Sequence, residues 1–410
     1  MSIWRNRSLL GLISAELVSL TGTAMTFVAL PWFVAVTTGS LAKMGWVLAA
    51  ETAPMALFGI LAGTLVARLG PKPTMLLAGA CRAPLMVVVP TLYWTHHLSF
   101  AAVLAATFAV GSFSAPYFTS SRLIIPEVAG DDERAVAGVS AIISGANQLT
   151  QIGGPVLAGV LIAATAPATV LVVDGATYLF SFLTILLAVR VGKRVEQTPE
   201  SRGVLAGLRF LIRDPLLGPL LVAACVVNFV AQGLIIGVQA LALVSYDRNA
   251  HALGFLFGAF GVGALLGALA AQRLTQRIAL PRLAALAIVG MPLPVFGLVV
   301  HVPWPVAMLL IAGFGFFTPL TNAPIIGMLT VRTPAALRPK VLSAVMSVAM
   351  LAGPLGFVVA GQLVAHWLSV QSLFLVVAAG LLATAFVFAG ILLRNGDAPP
   401  APGPSVPELA

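Results

Sequence analysis

The sequence predicts an all-α integral membrane protein of twelve transmembrane helices, arranged as two six-helix bundles related by a parallel pseudo-repeat. Three observations predict it. Apolar residue types make up 60% of the 410 residues and charged types only 9%, whereas a soluble domain carries roughly a quarter charged residues. The apolar residues fall into twelve runs, each close to the ~20 residues that a membrane-crossing helix needs. A pattern of glycines and prolines also recurs at a spacing of about 204 residues. This composition excludes a soluble enzyme, a nucleic-acid binder and a disordered protein.

The first six runs cover residues 9–36, 44–67, 74–93, 98–121, 137–163 and 168–189. The second six cover 215–244, 252–272, 282–301, 305–330, 341–365 and 371–393. Polar or turn-forming residues separate them, such as Thr37-Thr38-Gly39-Ser40 and Val302-Pro303-Trp304-Pro305. The first run is too long for a signal-peptide core, and no small-residue cleavage site follows it, so it reads as a retained span. Domain boundaries follow: an N-terminal bundle over 1–190, a cytoplasmic linker over 191–214, a C-terminal bundle over 215–396 and a disordered cytoplasmic tail over 397–410.

Charge placement sets the expected orientation. With a cytoplasmic N-terminus, nineteen of the 22 lysines and arginines fall in inner loops, among them Arg68, Lys72, Lys193, Arg213 and Arg338. Two, Lys43 and Arg248, fall outside, and Arg82 lies within a span. Such a bias is the positive-inside signature of a multi-pass membrane protein with both termini in the cytoplasm. The net charge of +9 is therefore a topological label and a contact for lipid headgroups. It does not mark a nucleic-acid partner. Trp32, Trp46, Trp94, Trp304 and Trp367 fall near outer span ends, as an interfacial aromatic belt requires.

Other chemistry is sparse. His96, His97, His251, His301 and His366 come from four separate loops without ligand spacing and read as interfacial side chains, not a metal site. Cys81 and Cys225 lie inside apolar runs and read as small filler. No G-x-x-x-x-G-K-[ST] loop occurs, so the chain is not expected to drive transport with ATP, and no cofactor is expected. Within the linker, Thr198-Pro199-Glu200 is a helix-start signature. Val204, Leu205, Leu208, Leu211 and Ile212 then share one face of a short amphipathic helix, expected to lie on the inner leaflet.

The repeat is the most informative feature. Gly59 and Gly63 match Gly263 and Gly267, Gly154-Pro155 matches Gly353-Pro354, and Arg190 closes the first half as Arg394 closes the second. Two like-oriented halves are the plan of secondary transporters. With Ala29-Leu30-Pro31-Trp32, Gly63 to Lys72, Gly153-Gly154-Pro155, Val173-Asp174-Gly175-Ala176 and Arg209 to Pro215, the chain resembles the major facilitator superfamily over nearly its whole length. The likeness is greatest to its bacterial macrolide- and siderophore-efflux branch. In the superfamily's pattern G-x-L-x-D-R-x-G-R-R, Gly63, Leu65, Arg68, Gly70 and Lys72 fit, while Ala67 replaces the acid. The resemblance implies that this acid clamps the cytoplasmic side in relatives, so here Arg68 and Lys72 need other partners or the clamp is weaker. The span-five pattern G-P-x-x-G-G appears as Gly154, Pro155, Ala158 and Gly159, small residues that allow close helix approach.

Four ionisable residues lie within spans: Glu16, Glu51, Arg82 and Asp174. Each costs about 2.5–3.5 kcal/mol or more at mid-membrane and is a functional candidate by default. Helical rise places Glu16 and Arg82 roughly 10–12 Å from the inner edge, and Glu51 and Asp174 roughly 8–11 Å from the outer edge. The functional reading is proton coupling, since desolvation favours a neutral acid and a neighbouring arginine favours its carboxylate. The alternative is that Arg82 and one acid form a structural pair.

The resemblance further implies that spans one, four, seven and ten line a central cavity. Thr23, Thr26, Ser112, Tyr117, Asn228, Gln232 and Asn322 would supply its few polar groups, and Phe314 and Phe317 its aromatic surface. Mostly apolar walls with few hydrogen-bonding groups suit a small amphipathic, drug-like substrate. The expected function is a monomeric, proton-coupled exporter, that is, an antiporter. One alternative is a proton symporter importing a small metabolite on the same fold. The other, of a different class, is a non-transporting membrane scaffold or intramembrane enzyme.

Overall fold

The computed structural model describes residues 6–130, 133–191, 204–214, 216–334 and 337–395, and among these all regular structure is helical. The tail over 397–410 and the helix-start signature Thr198-Pro199-Glu200 lie outside the described residues.

Six long helices fill the first half: α1 (Arg7–Thr38), α2 (Leu41–Leu69), α3 (Pro71–Trp94), α4 (Phe100–Ala129), α5 (Glu133–Ala164) and α6 (Pro167–Ala188). Local chemistry sets their ends. The Asn6 Oδ1 accepts from the amides of Ser8 (3.0 Å) and Leu9 (3.3 Å) at the start of α1, and Ser40 and Ser99 cap α2 and α4 in the same way. Gly70, at φ 93°, turns the chain between α2 and α3 with a conformation that few side chains tolerate.

The second half opens on the short α7 (Val204–Arg213), followed by α8 (Leu217–Ala240), which runs into a π-helical turn (Leu241–Ser245). Then come α9 (Ala250–Leu274), α10 (Leu280–Gly290) continued by α11 (Pro292–Gly297), α12 (Trp304–Arg332), α13 (Arg338–His366) and α14 (Val370–Asn395). The Asp214 Oδ1 accepts from the amides of Leu216 (2.9 Å) and Leu217 (3.0 Å) and so starts α8. In α7, Phe210 and Leu211 are buried while Ile212 is 68% exposed. The helix packs on α13 and α8 through Phe210 and Leu211, with Leu208 against the same core.

Among the described residues, each of the twelve apolar runs is helical over most of its length. Ten helices among the described residues are long and apolar enough to cross a membrane, and eleven if α2, bent by 64° between Leu41–Gly59 and Leu61–Leu69, counts as one span. The remaining one, α5, is 32 residues long, but Asn147, Gln148, Thr150 and Gln151 dilute its apolar character.

The chain forms two compact units, Met1–Pro199 with Asn249–Gly258, and Glu200–Arg248 with Ala259–Ala410. In the first, α1 packs on α5 and α6, α2 on α4, and α3 on α4 and α6. In the second, α8 packs on α13 and α14, and α10 on α12 and α14, so the order of helix partners repeats. Leu9, Leu12, Met75, Ile124 and Ile185 form part of the first core, and Leu217, Leu220, Ala284, Ile288 and Phe388 part of the second. Large apolar side chains such as Leu187 (78%) and Leu309 (75%) remain exposed, as hydrocarbon-facing positions should.

Candidate functional site

The acids buried within the spans belong to the first unit. Helices α8 to α14 contain no aspartate or glutamate, whereas α1, α2 and α6 contribute Glu16, Glu51 and Asp174. On α1, Glu16, Ser19, Thr23 and Thr26 follow helical spacing along one face, and Glu16, Ser19 and Thr26 are buried. On α6, Asp174, Tyr178, Ser181 and Ile185 do the same and are all buried. These two faces meet where α1 packs on α6, and Gly22 allows the approach. A Cβ there would overlap Thr177 Oγ1 and Asp174 Oδ1.

Arg82 enters from α3 and is 1% exposed. Its guanidinium carbon lies 3.9 Å from the ring centroid of Tyr117 and 4.3 Å from that of Tyr178. A desolvated cation over an aromatic face gains about 2 kcal/mol or more per ring, which helps offset the burial of the charge. Both rings are anchored, the Tyr117 hydroxyl to Ser181 Oγ at 3.0 Å and the Tyr178 hydroxyl to Thr23 Oγ1 at 3.1 Å. The Nε and Nη2 of Arg82 are buried without a hydrogen-bond partner.

The acids surround this clamp. Glu16 feels the Arg82 charge and the Tyr117 hydroxyl, and its Oε1 is buried without a hydrogen-bond partner. Asp174 also feels Arg82, and its two oxygens accept from Thr26 Oγ1 (2.6 Å) and Thr177 Oγ1 (2.9 Å). Glu51, on α2, feels the Asp174 charge. Glu51 is partly exposed, with Oε2 buried and without a hydrogen-bond partner. All four ionisable residues singled out from the sequence thus meet in one cluster, with Asp174 as well as Glu16 facing Arg82. Tyr178, Ser181 and Thr177 were missed, although their spacing of four, seven and three residues from Asp174 was a legible signal.

The polar residues assigned to a cavity are distributed differently. Thr23, Thr26 and Tyr117 belong to the charge cluster. Ser112 Oγ donates to the carbonyl of Phe108 in its own helix (2.8 Å), and Asn228 Nδ2 to that of Ala224 (3.0 Å). Gln232 packs beside Gly356 on α13, and Asn322 is exposed. Phe314 is buried beside Phe260, and Phe317 packs against Gly290 of α10.

The motif glycines also differ in role. Gly63 has open space where a Cβ would stand, whereas Gly154 faces Ala24 of α1, and Gly159 faces Gly254 of the Asn249–Gly258 segment in the same unit. Pro155 is internal to α5, and its carbonyl lies against Gly254. Lys72 Nζ donates to the carbonyl of Val189 at 2.6 Å, closing the C-terminal end of α6. Arg68 is also engaged.

The family model described as transmembrane secretion effector matches residues 4–408. The multidrug efflux pump Tap of Mycolicibacterium fortuitum is 28% identical over 372 residues, covering 87% of this chain and 88% of its own. Among solved structures, the nucleoside transporter NupG superposes with a TM-score of 0.79 at 14% identity, covering 95% of this chain and 99% of its own. A bacterial homologue of the human lysosomal transporter Spinster gives 0.71 at 17% identity, covering 97% of each. The fold, the full-length family match and these relatives agree: the chain belongs to the transmembrane secretion effector family of the major facilitator superfamily and is a multi-pass membrane transporter.

Proposed function

We propose that this transporter is a proton-coupled exporter of small amphipathic, drug-like molecules, an antiporter of the bacterial cytoplasmic membrane with both termini in the cytoplasm. One observation carries the reading: two carboxyl groups, Glu16 and Asp174, share the field of a single buried guanidinium within membrane-spanning helices, and a third, Glu51, feels Asp174. Ionisable groups at this depth are expensive to keep, and an excess of acids over cations must bind protons to remain buried. Thr26 and Thr177 hold Asp174, Tyr117 holds Glu16, and Arg82 favours the charged form of both. The relatives named as multidrug efflux pumps support export of drug-like compounds. The first unit then serves as the coupling bundle, and substrate discrimination falls to the polar and aromatic side chains named above.

Everted membrane vesicles test this reading. With an imposed proton gradient, acidic inside, vesicles containing the protein should accumulate ethidium, and collapsing the gradient should release it. Glu16→Gln and Asp174→Asn should abolish accumulation. Unchanged susceptibility of an efflux-deficient host to a broad compound panel, with the protein confirmed in the membrane, would overturn export.

A further inference from the structure

The geometry of the cluster says more than that protons bind there. Arg82 is held by two aromatic faces, not by a carboxylate, and two of its nitrogens lack hydrogen-bond partners. Its clamp is anchored from α6 through Ser181 and from α1 through Thr23, so the guanidinium cannot swing without breaking contacts on both helices. Arg82 lies over Tyr178, one turn from Asp174 on the same buried face of α6, and both Asp174 and Glu16 on α1 feel its charge. They differ in support: hydroxyl donors occupy both oxygens of Asp174, while Oε1 of Glu16 has none.

We propose that Arg82 is a single counter-ion shared by Glu16 and Asp174, clamped between them by Tyr117 and Tyr178, so that one acid is charged while the other carries the proton. Charge balance supplies the reason. Two carboxylates beside one guanidinium would leave a net negative charge in a medium that cannot solvate it, whereas one carboxylate and one neutral acid leave none. A proton that reaches the charged acid frees the cation for the other acid, which then releases its own. The proton moves from one side of the clamp to the other while Arg82 stays in place. Tyr117 and Tyr178 are positioning residues. Glu51, facing Asp174 and Tyr178 from α2, is the remaining ionisable neighbour.

This inference rests on the cluster being the proton carrier, and its test does not require transport. The carboxylic C=O stretch of the purified protein is recorded by infrared spectroscopy at neutral pH, in a Glu51→Gln background. The spectrum of the protein that also carries Glu16→Gln and Asp174→Asn is subtracted to remove every other carboxyl. The background should retain the band of one protonated acid. Adding Glu16→Gln alone, or Asp174→Asn alone, should abolish that band, because the surviving acid takes the cation. A full band in either single variant means that the acids titrate independently and overturns the proposal, as does a background band worth none or two. Should a single variant fail to fold, the size of the background band still decides. A protein that leaves susceptibility to the whole compound panel unchanged yet loses the band in both variants refutes export and leaves the shared counter-ion standing.

Discussion

Gly153 and Gly154 are neighbours on α5, yet an added methyl group should have opposite effects at the two positions. At Gly153 a Cβ meets nothing within 4 Å. Gly153→Ala therefore removes only backbone freedom from the unfolded chain and should stabilise by about 0.4–1 kcal/mol. At Gly154 the Cβ would lie 2.5 Å from the Cβ of Ala24 and 3.3–3.4 Å from its backbone atoms. Carbon atoms rest at about 3.5–4.0 Å, so α1 and α5 would have to part by roughly 1 Å or more. Overpacking of this kind costs about 1–3 kcal/mol, against which the gain in helix propensity is small. Taking about 2 kcal/mol for a unit of this size, Gly154→Ala should lower Tm by about 4–8 °C and Gly153→Ala should raise it by about 1–4 °C. Thermal unfolding of the purified protein in one mild detergent, followed by tryptophan fluorescence, makes the comparison. Because Ala24 lies between Thr23 and Thr26, Gly154→Ala should also reduce ethidium accumulation, and Gly153→Ala should leave it intact. Equal losses of Tm at the two positions would refute the α1–α5 packing argued here.

Thr26→Val keeps the shape of the side chain but leaves Asp174 Oδ2 without its 2.6 Å donor; a loss of about 1–3 kcal/mol is expected, with Thr26→Ser close to wild type in the same melting assay. Arg82→Lys keeps the charge but not the planar group that stacks between two rings, so it should lose gradient-driven ethidium uptake while remaining in the membrane at normal level. The repeat-related Gly63 and Gly267 should respond differently. Gly63→Ala meets open space, whereas at Gly267 a Cβ would overlap the main-chain carbonyl of Phe316 on α12, so Gly267→Ala should cost about 1–3 kcal/mol by melting.

These contrasts mark what could be read without a structure. Composition and apolar run length establish a membrane protein, because the bilayer's thickness and dielectric constrain a sequence at every position of a span. The same economy flags Glu16, Glu51, Arg82 and Asp174, since a charge in hydrocarbon is costly wherever its helix packs. Helical spacing on α1 and α6 could also have brought in Tyr178 and Ser181. Partnership was another matter. That Asp174 feels Arg82 as Glu16 does, that Tyr117 lies against a cation, and that Gly154 is confined while Gly63 is free depend on which helices touch and at what rotation. Distances of a few ångströms between residues up to 155 positions apart, as between Thr23 and Tyr178, decide those questions. A one-dimensional pattern carries depth along each helix axis but not the angle at which one helix presents itself to another, so only the tertiary structure could assign the pairs.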